Sequence, residues 1–441
     1  MGGFFLPQVY YFWSMQIEQL YQIYLQHPQV QTDTRKLQSG DLFFALKGDN
    51  FNGNAFTGQA LAAGAAYAIV DEDTGLSDER IIQVPDVLTA LQQLAKRHRE
   101  HFTHIPFVAI TGSNGKTTTK ELVHEVLSTT YTTYTTIGNL NNHIGVPLTI
   151  LKIKADAQMA VIEMGANHQK EIAGYCEYAM PTHGIITNCG KAHLEGFGGL
   201  EGVRKGKGEL YDYLRAHDGT AFVMWDYDYL RTMSEGLPHV HTYGTDGAEL
   251  NGRVLSSTGF LSVGISDAPA LAQIDTHLVG EYNLPNVLVA VALGRYFKVP
   301  DEKIKAAIEQ YQPSNSRSQL LEWQGNKVIL DAYNANPTSM RAAIENFAKM
   351  EGTNKVLLLG GMMELGEGSI AEHEGIVALI QQYPWQAVVL VGGDYAHIAH
   401  PFIYFNNATE AGTWLQQQAL TNAMLLVKGS RSMQMEKVLG E

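Results

Sequence analysis

Cysteine is nearly missing: Cys176 and Cys189 are the only two in 441 residues. Two thiols cannot staple a chain of this length, so its stability must come from buried apolar surface, and a reducing compartment, the cytoplasm, is the expected location. Basic residues are also in deficit, 31 Lys and Arg against 45 Asp and Glu, for a net charge of −14. That balance argues against a general partnership with nucleic acid or an anionic membrane surface. It leaves room for a local anion site built from a few cations and backbone amides. No apolar run is long enough to span a bilayer. The opening stretch, MGGFFLPQVYYFWSM, lacks the basic start and small-residue cleavage site of a signal peptide. Residues 1–14 therefore read as an extension ahead of Met15, which opens the patterned segment MQIEQLYQIYL. Repeats and low-complexity tracts are absent too.

What is present is globular, with 45% hydrophobic and 17% charged residues, and too long for one ordinary core. Three blocks emerge. The first holds the strands DLFFALKG and YAIVDE around a small-residue helix, AFTGQALAAGAA, and ends in a polar connection, KRHREHFTHIP, that reads as a linker. The second opens on the apolar strand FVAIT and alternates strands (MAVIEMG, HGIITNCG) with helices, the pattern of a parallel sheet covered by helices. Near YQPSNSRSQ the composition changes again. The third block repeats the alternation with NKVILDAY, NKVLLLGG, WQAVVLVGG, FIYF and NAMLLVKGS. The expectation is an α/β protein of three domains. A small mixed α/β domain occupies 15–103, a central P-loop domain with a parallel sheet 104–312, and a Rossmann-like domain 313–441.

FVAITGSNGKTTTKELVHEVL carries the clearest chemistry. An apolar strand runs into a glycine loop and then an amphipathic helix. Gly112 and Gly115 let backbone amides approach phosphate oxygens, and the helix N-terminus adds its positive end. Lys116 would reach the β- and γ-phosphates, and the Thr117 hydroxyl would bind Mg²⁺. Ile110 stands where the common P-loop has its first glycine, so the loop is a shortened variant. Glu163 ends a buried strand of the same block, a place from which a carboxylate can hold Mg²⁺. His193 lies in a glycine-flanked loop after another strand. Lys207 falls on the apolar stripe of a helix with Val203, Leu210, Tyr211 and Leu214, whereas Lys205 points elsewhere. The bland account of Lys207 is a packed stem with its ammonium snorkelling to water.

In order along the chain stand TGSNGKTTTK, GNLNNHIGVPLT, VIEMGANHQKEI, AHLEGFGGLEGVRKGKGEL, GEYNLPNVLVA, DAYNANPTSM, MMELGEGSIAEHEGI and LVKGSRSMQME. Together they resemble the Mur ligase family. DAYNANPTSM with MMELGE points further, to the members that join D-alanyl-D-alanine to a UDP-N-acetylmuramoyl-tripeptide. The resemblance implies an ATP-dependent amide ligase working through an acyl phosphate, with ATP and Mg²⁺, as a monomer without nucleic-acid partners or membrane insertion. It implies that Gly112, Ser113, Asn114, Gly115, Lys116, Thr117 and Thr118 hold the phosphates, and that Thr117 and Glu163 share one Mg²⁺. His193 and a carbamylated Lys207 would serve a second. Asn283 and Asn286 would contact adenine, in a motif that usually begins with His where this chain has Tyr282. Arg317 and Asp331 would reach the γ-phosphate and ribose when domains close. Thr34 and Arg35 would contact the UDP end of the substrate, beside FNGNAF where the family often shows Asp-Gly-His. Lys116, Lys207 and His193 are the implied catalytic groups. An amine in an apolar setting has a lowered pKa, so Lys207 suits CO₂ capture. The competing readings are a ligase that adds one amino acid to a UDP-muramoyl peptide or glutamate to a folate, and a P-loop switch or motor. A switch needs neither Lys207, nor His193, nor a complete third domain.

Overall fold

A computed structural model describes the backbone of residues 7–314, 316–352 and 354–440, with side chains from residue 17. By internal contacts the chain divides into two units, one of Met1–Ala109, Tyr131–Gly165 and Glu171–Thr182, the other of Ile110–Thr130, Ala166–Lys170 and His183–Glu441. In the first unit, helix Pro7–Gln26 runs through Met15 without a break. Of the expected extension, residues 1–6 lie outside the described residues, and 7–14 belong to this helix.

The first unit contains a four-stranded parallel sheet in the order Val30–Gln31, Leu42–Phe44, Tyr67–Val70, Ile81–Gln83. Small residues make its packing possible: Ala45, Ala60, Ala65 and Ala68 close around Phe43, Leu61 and Val70. Helix Val87–Arg99 is capped by Asp86, whose carboxylate accepts the Thr89 N–H at 2.7 Å. This helix corrects the linker reading of KRHREHFTHIP. Residues 96–99 are its last turn, because Leu91, Leu94, Ala95 and His98 continue the helical spacing onto the buried face. The His98 ring nitrogens meet Ile153 O at 2.8 Å and the Tyr21 hydroxyl at 3.2 Å. Arg99 is buried with its guanidinium 3.6 Å from the Phe107 ring centroid and its Nε donating to Ala179 O. Polar letters concealed a packed helix end.

In the second unit, strands His183–Ile186, Thr220–Met224, His239–Gly244 and Leu250–Ser256 pair in parallel. Phe260–Ile265 and Ile274–Val279 then extend the sheet antiparallel, which the expected all-parallel pattern did not include. The extension begins at a tight hairpin, because residues 257–259 turn the chain straight back beside the strand it has left. A second sheet runs Gln319–Trp323, Asn326–Asp331, Met424–Lys428, Lys355–Gly360, Ala387–Val391, Ile403–Phe405. Only its first pair is antiparallel. Lys355–Gly360 is buried along its whole length, as a strand covered by helices on both faces must be. Leu357 and Leu359 pack with Ile344 and Phe347 on one side, and Val356 and Leu358 with Ala411 and Leu415 on the other.

Candidate active site

Strand Phe107–Thr111 ends at Gly112, and helix Lys116–Ser128 begins after Gly115. Ile110 is an ordinary buried strand residue, so the loop proper starts at Gly112. Gly115 sits at φ +82°, and a Cβ there would lie 2.8 Å from Asn286 Oδ1. Glycine is required on both counts. The loop is clasped by residues 187–190. Ser113 Oγ donates to Gly190 O and accepts the Gly190 N–H, both at 3.0 Å. The Asn114 N–H donates to Asn188 Oδ1 at 3.1 Å, and its carbonyl accepts from Thr187 Oγ1 and Asn188 Nδ2. Lys116 Nζ folds back onto Gly112 O and Ser113 O at 2.7 and 3.1 Å. Thr117 is buried and Thr118 half-buried at the helix start. Backbone amides at a helix N-terminus beside a lysine form an anion cradle.

Lys207 lies in helix Leu200–Ala216, on the buried face with Gly202, Val203, Gly206, Leu210, Tyr211 and Leu214. Gly202 and Gly206, inside the helix, each cost about 1 kcal/mol relative to alanine. They are kept because Phe197 lies against them: a Cβ on Gly202 would meet Phe197 O at 1.8 Å, and one on Gly206 the Phe197 ring at 2.4 Å. Lys207 Nζ stands 4.9 Å from that ring centroid and donates to Ala166 O at 2.9 Å. The residue is 1% exposed, so the snorkelling account fails. Lys205 is exposed. An ammonium removed from water costs several kcal/mol, which the Ala166 carbonyl and the Phe197 ring offset in part.

His193 has φ +53°, and its Nδ1 donates to Glu364 Oε2. That bond holds the Glu364 carboxyl below its ordinary pKa. A ring held through Nδ1 in this way leaves Nε2 facing away from Glu364, the orientation usual for a metal-binding histidine. Glu364 belongs to MMELGE, so sequence segments 171 residues apart meet here. Other third-block residues reach the same loops. Asn336 Nδ2 donates to Asn114 Oδ1 at 2.7 Å, the Lys191 N–H to Thr338 Oγ1 at 3.0 Å, and Lys191 Nζ to Glu372 at 2.5 Å. Asn336 caps helix Pro337–Lys349 by a reciprocal bond with Ser339.

The remaining expected residues are placed as follows. Asn283 and Asn286 are both buried. Asn286 accepts from Thr119 Oγ1 at 3.0 Å and donates to Asn283 Oδ1 at 2.8 Å, while Asn283 donates to Val279 O. These amides brace the nucleotide loop from behind. Arg317 stacks on Tyr333, 3.7 Å from its centroid, and Asp331 pairs with the buried Lys428 at 2.5 Å. In the first unit, Glu163 ends strand Met159–Glu163, almost fully buried, and accepts from Asn141 Nδ2 at 2.7 Å. Thr34 is half-buried, and the exposed Arg35 forks onto Asp33 with both bonds at 2.8 Å. The arginine holds Asp33 down to about 2. Asn54, in FNGNAF, is committed to Asp71 through two hydrogen bonds.

Asn336, Thr338, Glu364 and Lys428 were not singled out from the sequence, although all lie within the quoted motifs. Lys428 alone offered a signal, as a charge closing the apolar run MLLV. Among the described residues no three His, Cys, Asp or Glu side chains gather to hold a metal. Hydroxyl, carboxylate and imidazole groups such as those of Thr117, Glu163 and His193 are donors of the kind that suit Mg²⁺, which commonly takes one or two protein ligands and completes its shell with phosphate and water.

A glycine loop with lysine on one sheet, engaged by a second α/β sheet and preceded by a smaller domain, defines a three-domain nucleotide-dependent ligase fold. The chain matches the Mur ligase middle domain over residues 110–294, the Mur ligase glutamate ligase domain over 316–431 and the Mur ligase catalytic domain over 28–99. It belongs to the Mur ligase family. UDP-N-acetylmuramoyl-tripeptide–D-alanyl-D-alanine ligase of Bacillus subtilis is 34% identical, over 93% of this chain and 92% of that one. The crystal structure of MurF from Acinetobacter baumannii is 32% identical with a TM-score of 0.85, covering 93% of this chain and 92% of that one. MurF from Thermotoga maritima in complex with ADP is 25% identical at the same TM-score of 0.85, covering 94% and 97%.

Proposed function

We propose that this chain is an ATP-dependent peptide ligase that joins D-alanyl-D-alanine to UDP-N-acetylmuramoyl-tripeptide, giving the UDP-muramoyl-pentapeptide precursor of peptidoglycan with ADP and phosphate. The observation that carries the reading is the 2.7 Å bond between Asn114 of the nucleotide loop and Asn336 of DAYNANPTSM. It brings the segment most particular to the D-alanyl-D-alanine ligases onto the phosphate cradle. The near full-length likeness to such a ligase supports the same substrates.

A carboxylate resists amide formation because an amine cannot expel oxide from it. In the proposed reaction the tripeptide's terminal carboxylate oxygen attacks the γ-phosphorus of ATP, and ADP leaves. The amine of D-alanyl-D-alanine then attacks the acyl carbon. The tetrahedral intermediate collapses as phosphate departs with the C–O electron pair and the nitrogen loses a proton. Positioning and charge neutralisation supply most of the rate. The loop amides from Gly112 to Thr118 and the Lys116 ammonium receive the phosphates. Arg317 and Asp331 act on the γ-phosphate and ribose from the third domain, and Thr34 and Arg35 hold the UDP end. Asn283 and Asn286 act at the adenine end while bracing Thr119. Mg²⁺, held by Thr117 with Glu163 and by His193 with Lys207, would offset repulsion between triphosphate and carboxylate.

Lys207 enters that list as a carbamate. Its neutral amine forms an N–C bond with CO₂ and releases a proton, becoming an anion on the buried face of its helix. The domains at 15–103, 104–312 and 313–441 would hold the UDP end, ATP and the dipeptide. The work is expected of a cytoplasmic monomer; among the described residues no helix is long and apolar enough to cross a membrane. The test is phosphate release with UDP-muramoyl-tripeptide and ATP, offering D-alanyl-D-alanine, D-alanine or diaminopimelate as the amine. Turnover with the dipeptide alone is expected. Equal turnover with a single amino acid would overturn the assignment.

A further inference from the structure

The turn between strand Ile274–Val279 and helix Leu284–Tyr296 works in two directions. Asn286 and Asn283 reach one way, bracing Thr119 and the back of Gly115. Tyr282 reaches the other way. Its hydroxyl lies 3.0 Å from Ser318 Oγ, at the entry to the third-block strand Gln319–Trp323. The ring packs over Gly280, where φ is +95° and a Cβ would meet the tyrosine ring at 2.3 Å. That packing fixes the direction of the side chain, yet Tyr282 stays 36% exposed. A core role would bury the ring, so the hydroxyl contact is the feature that needs a reason.

Ser318 is a junction. It has φ +48°, and its N–H donates to Asp331 Oδ1 at 3.2 Å. Asp331 in turn takes the buried Lys428 ammonium on its other oxygen. Arg317 is the preceding residue, stacked on Tyr333. A continuous set of contacts therefore runs from Gly115 through Asn286 and the turn to Tyr282, Ser318 and Asp331. As a phenol, Tyr282 is protonated near neutral pH and able to hydrogen-bond. The usual histidine of this motif has no counterpart here, and the phenol reaches a hydroxyl across the domain joint.

We propose that Tyr282 is a positioning residue for the ligase reaction: through Ser318 its hydroxyl sets where Arg317 and Asp331 stand relative to the nucleotide loop. The proposal rests on the ligase reading given above. The experiment compares Tyr282→Phe, Ser318→Ala and the double variant with the full wild-type chain. Phosphate release is measured at saturating ATP, UDP-muramoyl-tripeptide and D-alanyl-D-alanine, and ADP affinity by calorimetry. Each single variant should lower kcat about fivefold, the scale of one hydrogen bond, with ADP affinity changed less than about twofold. The double variant should lose no more than the worse single variant, because both remove the same contact. Additive losses, unchanged kcat in either single variant, or equal falls in kcat and ADP affinity would overturn the positioning role. A wild-type chain without dipeptide-dependent phosphate release would overturn the ligase reading first, and the proposal with it.

Discussion

The nucleotide loop and the Thr34–Arg35 segment are each short and polar, yet they are held differently. The loop is tied to residues 187–190 by reciprocal hydrogen bonds and touched by Asn286 and Asn336 from distant parts of the chain. Thr34–Arg35 is held by its neighbour: Arg35 closes on Asp33, two residues away, in an exposed fork. Surface pairs of this kind contribute little to stability. The braced loop is organised by the fold before any ligand arrives. If Arg35 binds the substrate as proposed, it has to exchange its intramolecular carboxylate for a ligand's phosphate, so its contribution would appear only on binding.

The largest effect is expected at the buried end of that contrast. Lys207→Ala should lower amide formation roughly a thousandfold, the upper scale for losing a principal electrostatic group, while ADP affinity stays within about threefold. Lys207→Arg should be no better, because a guanidinium is always protonated and cannot take up CO₂. Acetate or formate should partly restore Lys207→Ala, and Lys205→Ala should remain near wild type. An active Lys207→Arg would remove the carbamate from the reading.

Gly115→Ala comes next. The alanine must adopt φ +82° and push aside an Asn286 amide already held by Thr119. Calorimetry should show ADP affinity reduced by about tenfold to a hundredfold, with roughly 1–3 kcal/mol lost in denaturant titrations. Retention of affinity would mean that the loop is less rigidly braced than its contacts indicate.

Arg35→Ala should raise the KM for UDP-muramoyl-tripeptide about fivefold to tenfold, one charge-assisted bond to phosphate, and leave both melting temperature and ADP affinity unchanged. A shift in melting temperature would erase the distinction between the two regions.

The smallest effect is a pH dependence. Burial beneath aromatic rings, helped by His241, pushes His183 down to about 4. The unfolded chain therefore takes up a proton first. The stability His183 contributes is complete above pH 6.5 and declines as pH falls toward 4. Asp33 is depressed to about 2, so its contribution is untouched until pH drops below its ordinary value near 4. Melting curves between pH 7 and 5 should register the histidine and not the Asp33–Arg35 fork, and His183→Gln should flatten that slope.

Much of this was legible from local pattern. Apolar runs marked the strands of both α/β sheets, and the glycine–lysine loop announced itself at a strand–helix joint. Lys207 could be placed on a buried stripe by counting residues. What escaped was whatever depends on distant partners. His193 and Glu364, Asn114 and Asn336, and Asp331 and Lys428 are joined by folding, and no local period records such a pairing. The end of helix Val87–Arg99 reads as a linker because its final turn pairs polar letters with buried positions. Arg99 satisfies its guanidinium on backbone carbonyls, a solution visible only in three dimensions. The antiparallel extension of the central sheet was decided by the hairpin at residues 257–259 rather than by the composition of its strands.

Strand Met424–Lys428 follows Asn326–Asp331 and Lys355–Gly360 along the chain, yet it lies between them in the middle of their sheet. Until it inserts, those two strands each lack a neighbour, and Asp331 lacks Lys428. Pairings of such long sequence separation form slowly, and the nascent third domain meanwhile presents two open edges to its surroundings. Insertion of Met424–Lys428 completes the sheet and fixes Asp331 in the same step.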